Sequence, residues 1–177
     1  MANKRSHPKA YFDAAKGYQS AADRLLLSIE SGEGLLIRDP TYFLYAHAVE
    51  LALKSCLLSS GINPKRTHVI SRLYGECRER KLIGTTDYNH DIHNLIYFLG
   101  SANECHEYRY PDTPEVPRAI PDLPWAREIV GRLMEEVEPN VVAWVAAHPT
   151  SPAPSTKKIA FGKPTFTKQP VPTKTAS

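Results

Sequence analysis

YAHAVELALKSCLLSSG, residues 45–61, is apolar on nearly every side when wound as a helix. A helix of that kind belongs in a core, because apolar faces drive folding only where they leave water. Extended back to Asp39-Pro40-Thr41, the stretch shows two seams. Tyr42, Ala46, Val49, Leu53 and Cys56 form one, and Leu44, Ala48, Leu51 and Leu58 form the other. Two seams put this helix at the centre of a bundle. Asp39 is the expected N-cap and Pro40 the first helical residue, where the missing N–H of proline costs nothing. SSGINP at 59–64 ends the helix.

The flanking segments supply what such a helix packs against. A first helix is expected over 9–31, where Tyr11, Ala15, Tyr18, Ala22, Leu25 and Ile29 recur in steps of four and three. SGEG at 31–34 stops it. A third is expected over 67–81, with Val69, Leu73 and Cys77 inward. A fourth opens at Thr86 as cap, and Tyr88, Ile92, Leu95 and Leu99 give its seam. Five prolines then fall within fourteen residues, from Pro111 to Pro124, which excludes a helix or a central strand and marks a surface loop. A last helix runs from about Trp125 past Val137 on Ala126, Ile129, Leu133 and Val137, and Pro139 either kinks it or starts a short sixth helix. No alternating strand pattern and no repeat appears. The fold class is therefore all-α, an up-and-down bundle of about five helices over residues 9–148.

Charge separates this body from the C-terminal residues. Positions 149–177 hold Lys157, Lys158, Lys163, Lys168 and Lys174 and no acid, so they carry +5 and leave −2 on the rest of a chain whose net charge is +3. The basic balance belongs to a Pro/Thr/Lys-rich tail that reads as disordered, and it gives no argument for a basic nucleic-acid face on the body. The polar start MANKRSHPKAYFD has no apolar stretch of signal-peptide type, and no run is long enough to span a membrane. Cys56, Cys77 and Cys105 are odd in number and widely spaced, as in reduced thiols of a cytoplasmic protein.

His47, Glu50 and Lys54 interrupt the central helix on one face, at spacings of three and four. One reading makes that face the solvent side. The other turns it toward a cleft or a dimer seam, where a buried carboxylate needs a cation. Arg109, set between Tyr108 and Tyr110, is the candidate partner of Glu50, since rings on both sides can pack a guanidinium. His68 and Arg72 form a second pair at the start of the third helix. His90 and His93 share a helix face, but no further ligands accompany them at a recognised spacing, so no metal is expected. No phosphate-cradling glycine loop, nucleophile elbow or zinc signature is present, and no cofactor is expected.

AHAVELALKSCLLSSG at 46–61, THVISRLYGECRER at 67–80 and NECHEYRYP at 103–111 together resemble a HEPN domain. Glu50, Lys54, His68, Arg109 and Tyr110 match positions that recur in that family, and the resemblance covers roughly residues 9–138. It implies an all-helical bundle, often homodimeric. Many members are metal-independent ribonucleases in toxin–antitoxin or phage-defence systems, while others bind nucleotides or mediate contacts. The ribonuclease members carry an arginine and a later histidine separated by four to six residues. No arginine of this chain has a histidine at that spacing, and His106 and Arg109 stand in the reverse order. The expectation is a non-catalytic cytoplasmic module that binds a partner protein, RNA or nucleotide through His47, Glu50, Lys54, His68, Arg72, Tyr108, Arg109 and Tyr110. Its partners would be a second copy, RNA or nucleotide, and a cognate antitoxin or nucleotidyltransferase. An active ribonuclease and a purely structural helical dimer are the alternatives.

Overall fold

The computed structural model describes residues 7–32, 37–64, 67–104 and 121–149, with only the backbone for 101–104. Among the described residues five helices make an up-and-down bundle: α1 (Pro8–Glu30), α2 (Arg38–Ser59), α3 (Ile70–Glu79), α4 (Asn89–Glu104) and α5 (Leu123–Ala147). Among the described residues there is no strand. The stretch that decides the fold does become the central helix, and α2 packs on each of the other four.

The expected boundaries move by one to three residues for local reasons. Asp39 is not the cap of α2. The helix already begins at Arg38, and Asp39 lies in its first turn, where a carboxylate still meets the positive end of the helix dipole. Thr41 there donates to the Ile37 carbonyl at 2.7 Å. The other end follows the sequence closely. Gly61 takes a φ of +78°, its N–H donates to the Leu58 carbonyl, and Ile62 N–H reaches back to Leu57 O. Those two bonds are the Schellman arrangement, which needs a left-handed residue in that place. α3 starts at Ile70 and not at Thr67, and α4 starts at Asn89 and not at Thr86. Thr86 instead bonds to the Glu136 carboxylate, which also accepts from Gly84 N–H at 2.8 Å. α5 runs unbroken through Pro139, so no separate helix starts there. It starts under Asp122, whose side chain accepts from Trp125 N–H at 3.2 Å.

The core follows the α2, α4 and α5 seams and departs on α1. Tyr42, Ala46, Val49, Leu53 and Cys56 are buried, as are Ile92, Leu95, Leu99, Ala126, Ile129, Leu133 and Val137. Of the second α2 seam only Ala48 is fully buried. On α1 the inward residues are Phe12, Ala15, Ala22 and Leu26, while Tyr18 stands partly in solvent. Phe12 and Leu26 replace Tyr11 and Leu25 at unchanged heptad spacing, so the helix is rotated slightly about its axis relative to the expected seam. The buried Tyr45 hydroxyl donates to Asp23 of α1 at 2.8 Å, and Arg127 of α5 faces the same carboxylate at 3.5 Å, which joins three helices at one acid. Cys56 and Cys77 are buried free thiols. No helix of the described residues is long and apolar enough to cross a membrane. The tail expectation for residues 150–177 lies outside the described residues.

Candidate functional site

Glu50 decides how the polar face of α2 is to be understood. It is 2% exposed, so the face is not a plain solvent side. A buried carboxylate holds its charge only if cations and donors replace water. Lys54, one turn along, donates to Oε1 at 2.6 Å and is itself only 12% exposed. His68 Nδ1 lies 3.0 Å from the same oxygen. His47 Nδ1 lies 3.9 Å from Oε2. Burial alone would raise the Glu50 carboxyl, but His47 and Lys54 beside it outweigh burial and hold it down at about 2. At these distances the Lys54 bond contributes more than the His47 ring.

An ionised carboxylate only accepts hydrogen bonds, so the Nδ1 of His68 must carry the proton it shares with Glu50. The remaining nitrogen, Nε2, is left for other partners. The His68 side chain is 77% exposed. The result is a buried anion that fixes the orientation of an imidazole standing in solvent. His47 is held differently. The Tyr18 ring meets it edge-on with centroids 4.4 Å apart, and Phe43 lies parallel to it at 6.0 Å.

The structure therefore brings together His47, Glu50, Lys54 and His68. It does not bring in Arg72, which is exposed on α3 and forms no ion pair with Glu50. The reason is the late start of α3: His68 precedes the helix, so His68 and Arg72 do not share a helix face. Arg109, Tyr108 and Tyr110 lie outside the described residues. Sequence reasoning missed the aromatic setting of His47. Phe43 was within reach of it, at i,i+4 on the same helix, whereas Tyr18 comes from α1 and left no local signal. Among the described residues no group of three or more His, Cys, Asp or Glu is placed to hold a metal ion.

Comparisons with curated proteins and with solved structures give no match. A family model described as HEPN domain matches residues 9–147, beyond the 138 to which the resemblance in sequence runs and as far as the last residue of α5. With five helices in this order and a match over most of its length, the chain belongs to the HEPN domain family.

Proposed function

We propose that this chain is a HEPN module that binds RNA or a nucleotide without cleaving it, through the Glu50-centred face. The observation that carries this reading is the bond from His68 to a buried, ionised Glu50, with the imidazole itself open to solvent. A ring fixed in this way loses little further freedom when its open Nε2 accepts from a ribose 2′-hydroxyl. Glu50 takes no proton in the neutral range, and Lys54 already offsets its charge, so neither is free to serve as base or counter-ion to a reacting phosphate. The missing Arg–His spacing points the same way. The setting that goes with this reading is a prokaryotic defence or regulatory system, in which the module acts as a homodimer beside a cognate antitoxin or nucleotidyltransferase. Exposed Leu27 and Val142 are apolar surface for such contacts.

The test is binding of a labelled single-stranded RNA followed by fluorescence anisotropy. His68→Ala is expected to weaken binding about tenfold while leaving the fold intact, and RNA in EDTA is expected to stay whole. Equal affinity in the variant overturns the assignment of the site. A second reading has its own observation: a carboxylate that orients a histidine is also how a general base is prepared. Cleavage in EDTA that His68→Ala abolishes would replace binding by catalysis.

A further inference from the structure

Helices α3 and α4 leave a groove of about 500 Å³ between them, within the size range of small-ligand sites. Tyr74, His93 and Tyr97 line it, with Arg78 at one side. The buried Tyr74 ring packs against His93 with centroids 6.1 Å apart and a tilt of 48°, which leaves no slot between the two, while His93 itself is exposed. Tyr97 is 68% exposed, although a tyrosine gains most from burial. The Arg78 guanidinium lies 5.8 Å from the centre of the Tyr74 ring and forms no ion pair among the described residues. Gly75 is part of the same lining and sits inside α3, where glycine weakens a helix. A Cβ built there would meet nothing within 4 Å, so packing does not account for the glycine, and the space beside it is open.

The other large cavity, about 690 Å³ between the α3–α4 turn and α5, is of a different kind. Three of its charged side chains already serve the fold: Arg132 pairs with Glu135, and Glu136 holds Gly84 and Thr86.

We infer that the α3–α4 groove seats a nucleobase against the exposed rings of His93 and Tyr97, with Arg78 on the same lining to meet the attached phosphate. This rests on the reading of the chain as an RNA or nucleotide binder and adds a second contact to it. An exposed aromatic face suits any base, because every base has a π-face, and a guanidinium that meets the Tyr74 side chain but no carboxylate among the described residues supplies the charge that a phosphate needs. Glu79, also on the lining, only accepts hydrogen bonds and so suits a base with an exocyclic amino group, such as adenine. The two contacts are close in the chain. His68 stands just before α3, and Ser71, Tyr74, Gly75 and Arg78 come after it on one side of that helix. From Ile70 to Arg78 the helix advances about 12 Å, roughly two nucleotides of an extended strand.

Gly75→Leu tests this without disturbing the core, because it replaces a weak helix residue where space is open. The full-length chain is titrated into labelled oligo(A) RNA and, separately, into labelled AMP, as wild type, Gly75→Leu, Tyr97→Ala and His68→Ala. The proposal expects Gly75→Leu and Tyr97→Ala each to weaken binding at least tenfold, with thermal unfolding of Gly75→Leu no lower than wild type. RNA binding weakened by His68→Ala but unchanged in Gly75→Leu and Tyr97→Ala overturns the groove and leaves the Glu50 face standing. AMP binding lost in Gly75→Leu and kept in His68→Ala supports the groove, assigns it to free nucleotide, and removes the Glu50 face. No binding of either probe by wild type overturns both.

Discussion

Glu50 shows how one residue can bear on stability and recognition together. Its carboxyl is held at about 2 against an ordinary 4.5. Because the folded value is the lower one, the carboxylate contributes its full stabilisation above the ordinary range and loses it as pH falls through 4.5 toward 2. The difference corresponds to about 3 kcal/mol on a nearly unexposed group. Glu50→Gln is therefore expected to flatten the loss of stability between neutral pH and about pH 2, measured by urea unfolding across that range. Glu50→Ala at neutral pH leaves Lys54 in a half-dry site without its partner and is expected to cost on the order of 3 kcal/mol. A variant as stable as wild type would show that water reaches the cluster. His68→Ala, by contrast, removes an exposed ring and is expected to cost less than about 1 kcal/mol. The His47, Glu50 and Lys54 face was legible in the sequence, because helix spacing alone aligns the three residues. That His68 would reach Glu50 was not, since the contact crosses from a connection to a helix eighteen positions away.

At the scale of the element, α5 carries a defect that the sequence reveals and the fold tolerates. Pro139 withholds the N–H that would bond the carbonyl of Glu135, yet the helix continues to Ala147. From the sequence a kink or the start of a short sixth helix is expected at Pro139, because an interior proline removes a helix bond. Here the flanking turns are held by packing, with Val137 and Val141 buried, and by Asn140, whose amide donates to the Leu82 carbonyl at 3.0 Å. Pro139 itself is exposed, so Pro139→Ala is expected to raise stability by about 1–3 kcal/mol, read from denaturant midpoints at constant slope. An unchanged midpoint would mean that α5 bends there and relies on the bend. The cap at Asp122 works in the opposite sense, and Asp122→Ala is expected to cost about 1 kcal/mol.

For the whole molecule, bundle class and helix number were legible because apolar residues recur with helical period in all five segments. The α1 seam was misread by one position, as periodicity does not fix the rotation of a helix about its axis without knowledge of its neighbours. The groove between α3 and α4 was not legible at all, being made by two helices together and marked only by a glycine that no turn explains. The buried core ends at Val141, and α5 ends six residues later at Ala147. Ending the chain at Thr150 removes nothing from that core. Thermal unfolding by circular dichroism is expected to be the same for the truncated and full chains, and a lowered midpoint would assign a packing role to Phe161 or Phe166.

The closest partnership in the bundle is between α1 and α2, which are also neighbours in the chain. Contacts that close short loops form early, whereas α5 must return to this pair across about sixty intervening residues. The α1–α2 hairpin is thus the natural folding nucleus, and α5 arrives late. Ala22→Gly, at a buried α1 position, is expected chiefly to slow refolding. Ala126→Gly, equally buried on α5, is expected chiefly to hasten unfolding. During synthesis the hairpin leaves the ribosome long before α5, so for that interval the apolar side of α2 that α5 later covers faces water, and it is then that the chain most needs protection from aggregation.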